Sequence, residues 1–553
     1  MNQSTPTLVN VALHLPRLAA TQPHRLAVVY PHGRDSAGRF AYSHLTFAQL
    51  DRLSDELARG LLAVGLQPGT RTVLMVPPCL EFFALTFALF KLRAVPVLID
   101  PGMGVRRLGP CLDEAQPGAF IAVPRAHLAR RVLGWCRQTV RLTVTVGSPR
   151  WLAQHTLDDL LRLGGGSADL GTTATQADEQ AAILFTSGST GPAKGAVYTH
   201  GTFATQVEAL RQLYAIEPGE VDLATFPLFA LFGPALGMTA VVPRMNPTRP
   251  AQVYPPYILR AIDDWGVTNL FGSPALLNRV GRYAQPLGVT LPSLRRVVSA
   301  GAPVPAAVIE RFTHLLPAGT QVYTPYGATE ALPVANIGSD TILQQTRKLT
   351  ELGRGVCLGL PVPGLRVAVV AVSDDPIPTW DESLLMPPGQ IGEFVVAGPW
   401  VTQSYYNRPE ATRLAKIHDG QTIWHRMGDV GYQDEAGRLW FCGRKSQRVV
   451  TSKETLYTIP CEAVFNTHPA VYRTALVGVR RGGEQVPVLC VELEAGQRPS
   501  GELLQQLQAI RDAHAHTQAI RRFLFHPGFP VDIRHNSKIF RERLAEWAAK
   551  RLD

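Results

Sequence analysis

The stretch AAILFTSGSTGPAKG, residues 181–195, gives the strongest indication of the fold and its chemistry. Its first part, AAILF, is a short apolar run and predicts a buried strand. The part that follows combines glycines, hydroxyl side chains and one lysine, Lys194. Glycine lets the backbone turn tightly and approach an anion, while hydroxyls, free N–H groups and an ammonium donate to phosphate oxygens. The stretch therefore predicts a strand followed by a phosphate-binding loop.

This loop is not a Walker loop, because no Gly-Lys-Ser/Thr follows at the required spacing. The alternative interpretation is a plain flexible turn of glycine and serine. The complete string of three glycines, four hydroxyls and a lysine favours phosphate binding over that alternative.

The same alternation of apolar runs and longer mixed segments extends on both sides of the loop. RTVLMVP (71–77) and VPVLID (95–100) are predicted strands, and EFFALTFALFKLRA (81–94) between them is a predicted helix, which makes a βαβ unit. Further predicted strands lie at 118–124, 141–147, 267–273, 295–301 and 321–327. Repeated alternation of this kind predicts an α/β fold with largely parallel sheets.

The pattern changes after about residue 360. GLRVAVVAVS (364–373) and IGEFVVAG (391–398) predict the strands of a β-rich subdomain. Farther on, ALVGVRRGGEQVPVLCVELEAG (475–496) predicts a hairpin, and a helix-forming segment follows it. We predict a large N-terminal domain over residues 1–443, a hinge over 444–446 and a small α+β domain over 447–553.

Composition excludes several classes of protein. The chain has 553 residues, of which 46% are hydrophobic, so it can bury the cores of several domains. The net charge of +10 suits nucleotide phosphates, or serves only solubility. Lys/Arg runs with interleaved aromatics are absent from the sequence, which argues against nucleic-acid binding.

The cysteines and apolar stretches indicate the compartment. Seven scattered cysteines without a CxxC pair argue against a disulfide framework or a zinc cluster and fit a reducing compartment. The N-terminus lacks the basic start of a signal peptide. The uncharged stretch Leu223–Pro243 is interrupted by prolines and glycines, which favours a buried wall or apolar pocket over a membrane span. We expect a cytoplasmic protein without a transmembrane segment.

Five further short motifs follow the loop in order. They are Ser299-Ala300-Gly301-Ala302-Pro303, Tyr326-Gly327-Ala328-Thr329-Glu330, Gly428-Asp429, Gly443-Arg444, and Asn536-Ser537-Lys538-Ile539 with Arg541. Together with TSGSTGPAKG they resemble, in order and spacing, the motifs of the adenylate-forming superfamily: acyl-CoA synthetases, peptide-synthetase adenylation domains and beetle luciferase. The resemblance covers essentially the whole chain. It implies the adenylate-forming fold, a mobile C-terminal lid that carries Lys538, and ATP and Mg²⁺ as cofactors.

The resemblance also assigns roles to residues. Tyr326 offers a flat face for adenine, and Lys538 neutralises the charge that develops at the α-phosphate. Asp429 accepts from the ribose hydroxyls, with Arg444 as a nearby donor. The implied catalytic residues are Lys538, Glu330 and Lys194; the metal ligands are Glu330 and Thr186; the nucleotide-binding residues are Thr186, Ser187, Gly188, Ser189, Thr190, Gly191, Gly301, Ala302, Pro303, Tyr326, Gly327, Thr329, Asp429 and Arg444; the acyl-substrate residues are Phe229, Ala230, Phe232 and Gly233. Alone, each has an ordinary structural alternative, such as a core tyrosine, a turn aspartate or a solvated lysine.

Several positions depart from the superfamily pattern. Lys453 stands where CoA-using relatives keep a glycine on the pantetheine path, and Pro460 replaces a common glutamate. Ser446 replaces the usual hinge Asp or Lys, Ala230 replaces a frequent histidine, and Ser537 replaces the glycine of the terminal motif. Together these changes question the thioester-forming step more than the adenylation step.

A narrower resemblance fits these departures. LIDPGMG (98–104), FPLFALFGPALGM (226–238), VYTPYGATEALPVA (322–335) and TIPCEAVFNTHPAVYRTALVGV (458–479) are similar to the ATP-dependent β-lactone synthetases of bacterial long-chain olefin biosynthesis. The resemblance implies adenylation of a hydrophobic 2-alkyl-3-hydroxy acid, whose own 3-hydroxyl then displaces AMP without CoA. It also implies the pathway thiolase, reductase and β-lactone decarboxylase as partners.

Two other functions stay open at this point. One is a long- or medium-chain acyl-CoA synthetase, which requires CoA. The other is a non-catalytic acyl- or nucleotide-binding relative, against which the retained Lys194, Glu330, Asp429 and Lys538 argue.

Overall fold

The computed structural model describes residues 9–36, 38–166, 174–186, 193–226, 232–531 and 539–552. The strands up to residue 241 are β1 (Leu26–Arg34), β2 (Phe40–Thr46), β3 (Arg71–Met75), β4 (Val95–Leu98), β5 (Ala119–Ala122), β6 (Leu142–Thr145), β7 (His155–Thr156), β8 (Gln180–Phe185), β9 (Gly195–Thr199), β10 (Val221–Ala224) and β11 (Thr239–Val241). The strands that follow are β12 (Asn269–Phe271), β13 (Arg296–Val298), β14 (Gln321–Tyr323), β15 (Tyr326–Ala328), β16 (Ala331–Asn336), β17 (Val356–Pro361), β18 (Arg366–Val370), β19 (Gly392–Ala397), β20 (Lys416–Asp419), β21 (Thr422–Gln433), β22 (Leu439–Arg444), β23 (Val449–Val450), β24 (Thr455–Leu456), β25 (Val471–Arg481), β26 (Glu484–Leu493) and β27 (Arg522–Phe525).

The helices of the described residues are α1 (His14–Thr21), α2 (Phe47–Ala63), α3 (Leu80–Lys91), α4 (Val105–Ala115), α5 (Pro124–Leu133), α6 (Leu157–Gly164), α7 (His200–Leu213), α8 (Phe232–Ala235), α9 (Pro255–Trp265), α10 (Pro274–Ala284), α11 (Ala306–Thr313), α12 (Ser339–Thr341), α13 (Arg347–Glu351), α14 (Pro409–Ala415), α15 (Thr458–Phe465), α16 (Gly501–Ala513) and α17 (Arg541–Ala549). Within the part of the chain that the structure describes, none of them combines the length and apolar composition needed to cross a bilayer.

Two seven-stranded sheets form the N-terminal part. The first has the order β7-β6-β5-β3-β4-β8-β9 and the second the order β14-β13-β12-β10-β11-β1-β2. All neighbours pair in parallel except β8–β9 and β1–β2. Strands such as β4 and β5 are buried along their whole length, as expected for sheets covered on both faces by helices. The predicted α/β architecture is therefore present.

The segment 321–327, predicted as one strand, is divided between two sheets. Strand β14 ends at Tyr323 in a parallel sheet, whereas β15 begins at Tyr326 in an antiparallel one. Pro325 lies between them; proline has no N–H to continue a ladder, which agrees with the break. The break moves Tyr326 away from its predicted strand and into the β-rich part of the chain.

The β-rich part is an antiparallel sheet of order β15-β16-β17-β22-β21-β19-β18, with β20 paired to β21. It holds the strands predicted at 364–373 and 391–398, and it has its own buried apolar cluster around Phe394 and Leu439. Beyond residue 447, the hairpin β25–β26 pairs with β27 and packs on α15, α16 and α17 around separate clusters. The predicted hairpin and following helix are present, and the boundaries of the two domains and the hinge stay predictions.

Candidate active site

Thr186 and Lys194 lie at the two ends of the predicted phosphate-binding loop. Thr186 follows β8 and Lys194 precedes β9, the antiparallel neighbour of β8. The Thr186 N–H donates to the Lys194 carbonyl at 3.0 Å, and the Lys194 N–H donates to the Thr186 hydroxyl at 3.2 Å. The antiparallel pairing thus closes the base of the loop. The predicted residues Ser187, Gly188, Ser189, Thr190 and Gly191 lie outside the described residues.

Glu330 is buried close to this loop. Its carboxylate accepts a hydrogen bond from the Tyr405 hydroxyl at 2.5 Å, and its carbonyl accepts from the Thr402 N–H at 2.8 Å. The Lys194 ammonium lies 5.0 Å from the centroid of the Tyr405 ring. Lys194 and Glu330 were predicted from separate motifs, and both contact Tyr405.

Sequence reasoning missed Tyr405. The bridge between Ala196 and Tyr405 and the hydrogen bond from the Tyr406 N–H to Gly195 attach this segment to β9. Burial raises the pKa of the Tyr405 hydroxyl, and the neighbouring Glu330 charge raises it further, so Tyr405 stays a hydrogen-bond donor at neutral pH. The sequence shows a polar and aromatic segment after residue 403, but nothing in its spacing predicts that Tyr405 contacts Glu330.

Lys416 and His425 are two further basic residues that the sequence did not reveal. Lys416 is 2% exposed, its ammonium donates to the Thr402 carbonyl, and it is the direct partner of His425 across β20 and β21. Burial lowers the pKa of Lys416 to about 7, against the opposing effect of Glu330. Burial, with the charges of Lys416 and Lys194, holds the pKa of His425 well below its usual value, so His425 is neutral. Lys194 and Lys416 are therefore the cationic groups of the centre around Glu330, and their charge suits a polyanion.

Tyr326, Asp429 and Arg444 meet at a second centre. The Tyr326 hydroxyl donates to Asp429 Oδ2 at 2.6 Å, and Arg444 Nη1 lies 2.9 Å from Asp429 Oδ1. Asp429 and Arg444 are direct partners across β21 and β22. Burial and the Asp429 charge raise the pKa of Tyr326, and Asp429 raises the pKa of Arg444. Three predicted nucleotide residues thus share one hydrogen-bonded cluster.

The remaining predicted nucleotide residues lie at the ends of neighbouring strands. Gly301, Ala302 and Pro303 follow β13, and Gly301 has a φ of +96°, which favours glycine. A Cβ on Gly327 would lie 2.5 Å from the Ala331 carbonyl oxygen, so this position needs glycine. The Thr329 carbonyl accepts from the Tyr198 hydroxyl at 2.6 Å. Gly301, Ala302 and Pro303 lie beyond the carboxyl end of the parallel strand β13, where open α/β sheets bind ligands, whereas Gly327 lies within the antiparallel strand β15.

Residues 15–406 match the family model described as AMP-binding enzyme. The chain belongs to this family. It is 51% identical to the olefin beta-lactone synthetase of Xanthomonas campestris pv. campestris over 99% of both chains. It is also 51% identical to the olefin beta-lactone synthetase of Stenotrophomonas maltophilia, over 98% of this chain and 99% of that one.

Solved structures share the fold of this AMP-binding enzyme. The ATP-bound MatB of Rhodopseudomonas palustris is 21% identical, with a TM-score of 0.77 and coverage of 98% of this chain and 100% of that one. The o-succinylbenzoate CoA synthetase of Bacillus subtilis, in complex with its acyl-adenylate intermediate, is 21% identical, with a TM-score of 0.74 and coverage of 97% and 98%. The adenylate-forming fold predicted from the motifs is confirmed.

An apolar cavity of about 70 Å³ lies beside the predicted nucleotide residues of this AMP-binding enzyme. Two predicted acyl-substrate residues, Phe232 and Gly233 of α8, line it together with Ala300 and Pro325. Phe229 and Ala230 lie outside the described residues. The predicted apolar pocket in this region is therefore present.

A polar pair in this cavity was not predicted. Asp222 on β10 is 4% exposed, and its carboxylate accepts from the amide of Asn269, its partner on β12. Burial raises the pKa of Asp222 to about 7, against the opposing hydrogen bond from Asn269. The sequence does contain a signal for this pair. Asp222 comes directly before the uncharged stretch, and a charged residue in a strand that is otherwise apolar indicates a special role.

The terminal motif is described only from Ile539 onward, so Lys538 lies outside the described residues. Arg541, three positions later, makes a bidentate ion pair with Glu462 of α15, with one contact at 2.9 Å. It also donates to the Leu476 carbonyl and to the Gln447 side chain, each at 3.2 Å. The end of the motif is thereby fixed to the residues that follow the predicted hinge.

Three of the sequence departures lie in described parts of the chain. Lys453 is exposed in the turn between β23 and β24, where its N–H donates to the Thr451 hydroxyl at 3.2 Å. Ser446 lies in a short 3₁₀ turn, Lys445–Gln447, and Pro460 lies inside α15. Ser537 and Ala230 fall outside the described residues.

Proposed function

We propose that this AMP-binding enzyme is an ATP-dependent ligase that adenylates a long-chain 2-alkyl-3-hydroxy acid and closes it to a β-lactone in olefin biosynthesis. The observation that carries the proposal is the 51% identity to olefin beta-lactone synthetases over nearly the full length of both chains. Relatives named as CoA ligases or CoA synthases match at 27–30% identity.

The two polar centres are suited to the first half-reaction. We assign Lys194, Thr186 and the basic surroundings of Glu330 to the β- and γ-phosphates, and Tyr326, Asp429 and Arg444 to adenosine. The substrate carboxylate attacks the α-phosphorus and pyrophosphate leaves, so the protein has to orient both groups and balance their charge. We assign Lys538 to the charge that develops at the α-phosphate.

The donors of the site are compatible with Mg²⁺ held between protein and nucleotide. Among the described residues no cluster of three metal-ligating side chains exists, whereas Glu330 is a buried carboxylate without an ion-pair partner in the described chain. Mg²⁺ commonly uses one or two carboxylates together with substrate phosphates. Glu330, with the Thr186 hydroxyl, would hold it, and the ion would supply positive charge to the phosphates.

The second half-reaction needs no external nucleophile. The 3-hydroxyl oxygen attacks the acyl carbon, the bond from that carbon to AMP breaks, and the hydroxyl proton is lost. An intramolecular nucleophile has a high effective concentration, so the exposed Lys453 on the usual pantetheine path does not obstruct this reaction. We assign the apolar cavity beside Phe232 to the first few carbons of one alkyl branch. We also propose that the protein is cytoplasmic and that its partners are the pathway thiolase, reductase and decarboxylase.

The decisive experiment is product analysis by mass spectrometry. Purified protein is incubated with ATP, Mg²⁺ and a 2-alkyl-3-hydroxy acid, with and without CoA. We expect AMP, pyrophosphate and the β-lactone in equal amounts in both samples. Acyl-CoA as the main product would overturn the proposal in favour of an acyl-CoA synthetase, and absence of pyrophosphate release would favour a non-catalytic relative.

A further inference from the structure

The segment from residue 116 to residue 157 has an unusual charge composition. It contains six arginines and neither aspartate nor glutamate. This segment forms β5, β6, β7 and α5, and β7 and β6 are the outermost strands at one edge of the first sheet. A one-signed positive surface therefore lies at the edge of the molecule.

Helix α5 is attached to this edge by one face only. His127 is fully buried, with Nε2 2.9 Å from the Val144 carbonyl, and the Arg130 guanidinium lies 5.6 Å from the centroid of Phe120. The opposite face carries Leu128, which is 53% exposed, and Val132, which is 75% exposed. These two residues are four positions apart and so lie on the same side of the helix.

An exposed tryptophan extends the apolar face. Trp151, in the short 3₁₀ turn Arg150–Leu152, is 71% exposed. Arg131 of α5 joins it to the helix, because its Nη2 donates to the Trp151 carbonyl at 3.4 Å and its guanidinium lies 5.9 Å from the centre of the indole. Together Arg125, Leu128, Arg131, Val132 and Trp151 form what we call the arginine–tryptophan surface.

The charges around this surface are not neutralised. Arg125, Arg131, Arg137 and Arg141 are exposed and have no carboxylate within 4 Å in the described part of the chain. Four acidic residues flank the segment, and each has a partner: Glu114 pairs with Arg408, Asp158 with Arg150 and Asp159 with Arg162, and Asp113 accepts from the Cys136 N–H at 2.7 Å. An apolar face with a tryptophan, bordered by unpaired arginines, has the composition of a surface that inserts into an anionic lipid interface.

We infer that the arginine–tryptophan surface docks the protein on the surface of an anionic membrane, with Leu128, Val132 and Trp151 among the headgroups and the arginines on lipid phosphates. The inference goes beyond the proposed function and does not rest on it. Helix α5 is too short to span a bilayer, so binding is peripheral and reversible.

The test is co-sedimentation of the full chain with vesicles. One set contains phosphatidylglycerol and phosphatidylcholine in equal parts, and the other contains phosphatidylcholine alone. We expect binding to the first set at low salt, loss of that binding at high salt, and no binding to the second set. Absence of binding to the anionic vesicles would overturn the inference and leave the surface to an acidic protein partner.

Paired variants locate the binding face. Arg125→Gln with Arg131→Gln should weaken partition about thirtyfold, because each arginine near an anionic leaflet contributes about fivefold. Leu128→Ser, Val132→Ser and Trp151→Ser together should also weaken it at least tenfold, by the loss of buried apolar area.

The control variants carry the same kinds of substitution at exposed positions outside the arginine–tryptophan surface. Arg249→Gln with Arg279→Gln removes the same charge, and Tyr254→Ser, Leu287→Ser and Leu352→Ser remove comparable exposed apolar side chains. Both controls should bind the anionic vesicles like the original protein. Equal loss in the controls, or full binding by either surface variant, would overturn the inference. ATP-dependent pyrophosphate release by each variant verifies folding.

Discussion

The cluster around Glu330 is built from side chains that are distant in sequence. Tyr405, which donates to the Glu330 carboxylate, is 75 positions away, and Lys194 approaches the same ring from the phosphate loop. Lys416 is held by Thr402, whose N–H donates to Glu330. Single substitutions can therefore test the contribution of each side chain to adenylation.

Glu330→Gln keeps the shape of the side chain and removes its charge. We expect Mg²⁺-dependent pyrophosphate release to fall about 10²- to 10³-fold, as for the loss of one preorganised electrostatic group. Binding of a stable acyl-AMP analogue, measured by calorimetry, should change little, because AMP has no β- and γ-phosphates for a metal to bridge. An equal loss in both measurements would indicate a structural role for Glu330.

Tyr405→Phe removes the hydroxyl that donates to Glu330. A hydrogen bond to a charged group contributes about 1.5–3 kcal/mol, so we expect kcat for pyrophosphate release to fall about 10- to 100-fold. Tyr406→Phe is the matched control, because its hydroxyl has no side-chain partner in the described residues. Similar rates for the two variants would contradict the assigned contact.

Asp222 makes stability depend on pH. Its pKa is raised from 3.8 to about 7 by burial, so the folded protein keeps a proton that the unfolded chain releases. Stability is therefore full below about pH 4 and is lost progressively as pH rises to about 7. Asp222→Asn keeps a neutral partner for Asn269 and should be stabilised relative to the original protein at pH 8 by a few kcal/mol, on the order of the shift.

The measurement is thermal unfolding of both proteins at pH 5 and pH 8. The advantage of Asp222→Asn should be larger at pH 8. The exposed Asp263→Asn serves as control and should show the same small difference at both pH values. A constant advantage for Asp222→Asn would show that the carboxyl is ionised at both pH values.

At the scale of elements, strand register brings together the residues that we assign to adenosine. Asp429 pairs with Arg444 because β21 and β22 are antiparallel neighbours in this register. A slip of one residue would turn one of the two side chains to the opposite face of the sheet. Gly428, with a φ of +66°, immediately precedes Asp429 in β21 and occupies a conformation that favours glycine.

The turn between β23 and β24 carries the prediction about CoA. With a 3-hydroxy acid and CoA, the original protein should form lactone alone, and the 3-deoxy acid should stall as acyl-AMP or hydrolyse slowly. Lys453→Gly should raise acyl-CoA formation from the 3-deoxy acid from background to a measurable rate. Quantifying both products by mass spectrometry tests this, with the exposed Lys550→Gly as control. Efficient acyl-CoA formation by the unmodified protein would contradict it.

At the scale of the whole molecule, residues 445–448 are fixed on two sides. Lys445 donates to the Ser373 carbonyl at 2.9 Å and lies 3.1 Å from Glu393, both in the β-rich part. On the other side, Gln447 accepts from Arg541 of the C-terminal part. Arg541 therefore connects the terminal motif with the segment next to the predicted hinge.

Arg541→Leu should destabilise the C-terminal part by about 3–5 kcal/mol, because it leaves Glu462 buried without its partner. Hydrogen exchange of the Asn466 amide measures this opening locally, because this amide donates to the backbone carbonyl of Glu462 at 3.0 Å and keeps that acceptor when the side chain is replaced. Arg541→Leu combined with Glu462→Leu should recover most of the protection, whereas the exposed Arg521→Leu should leave it unchanged. Loss of protection that Glu462→Leu does not restore would contradict the ion-pair explanation.

The architecture and most of the residues of the proposed site can be predicted from the amino-acid sequence alone. Apolar runs flanked by glycines and prolines specify strands locally, and the strands at 71–77, 95–100 and 391–398 were found where they were predicted. The motifs are short, and the chemistry of phosphate binding restricts their residues. That is why Lys194, Glu330, Asp429 and Arg444 could be named before their positions were known.

Tertiary structure decided which of these residues meet and what surrounds them. Sheet pairing brings distant residues into contact with Tyr405, Lys416 and Asp222, and these contacts determine what the three residues do. Such pairings cannot be predicted from local sequence patterns. The surface around Trp151 depends likewise on which face of α5 is packed against β6. Local propensity acts over a few residues, whereas burial, which sets these charges and exposures, is a property of the assembled sheets.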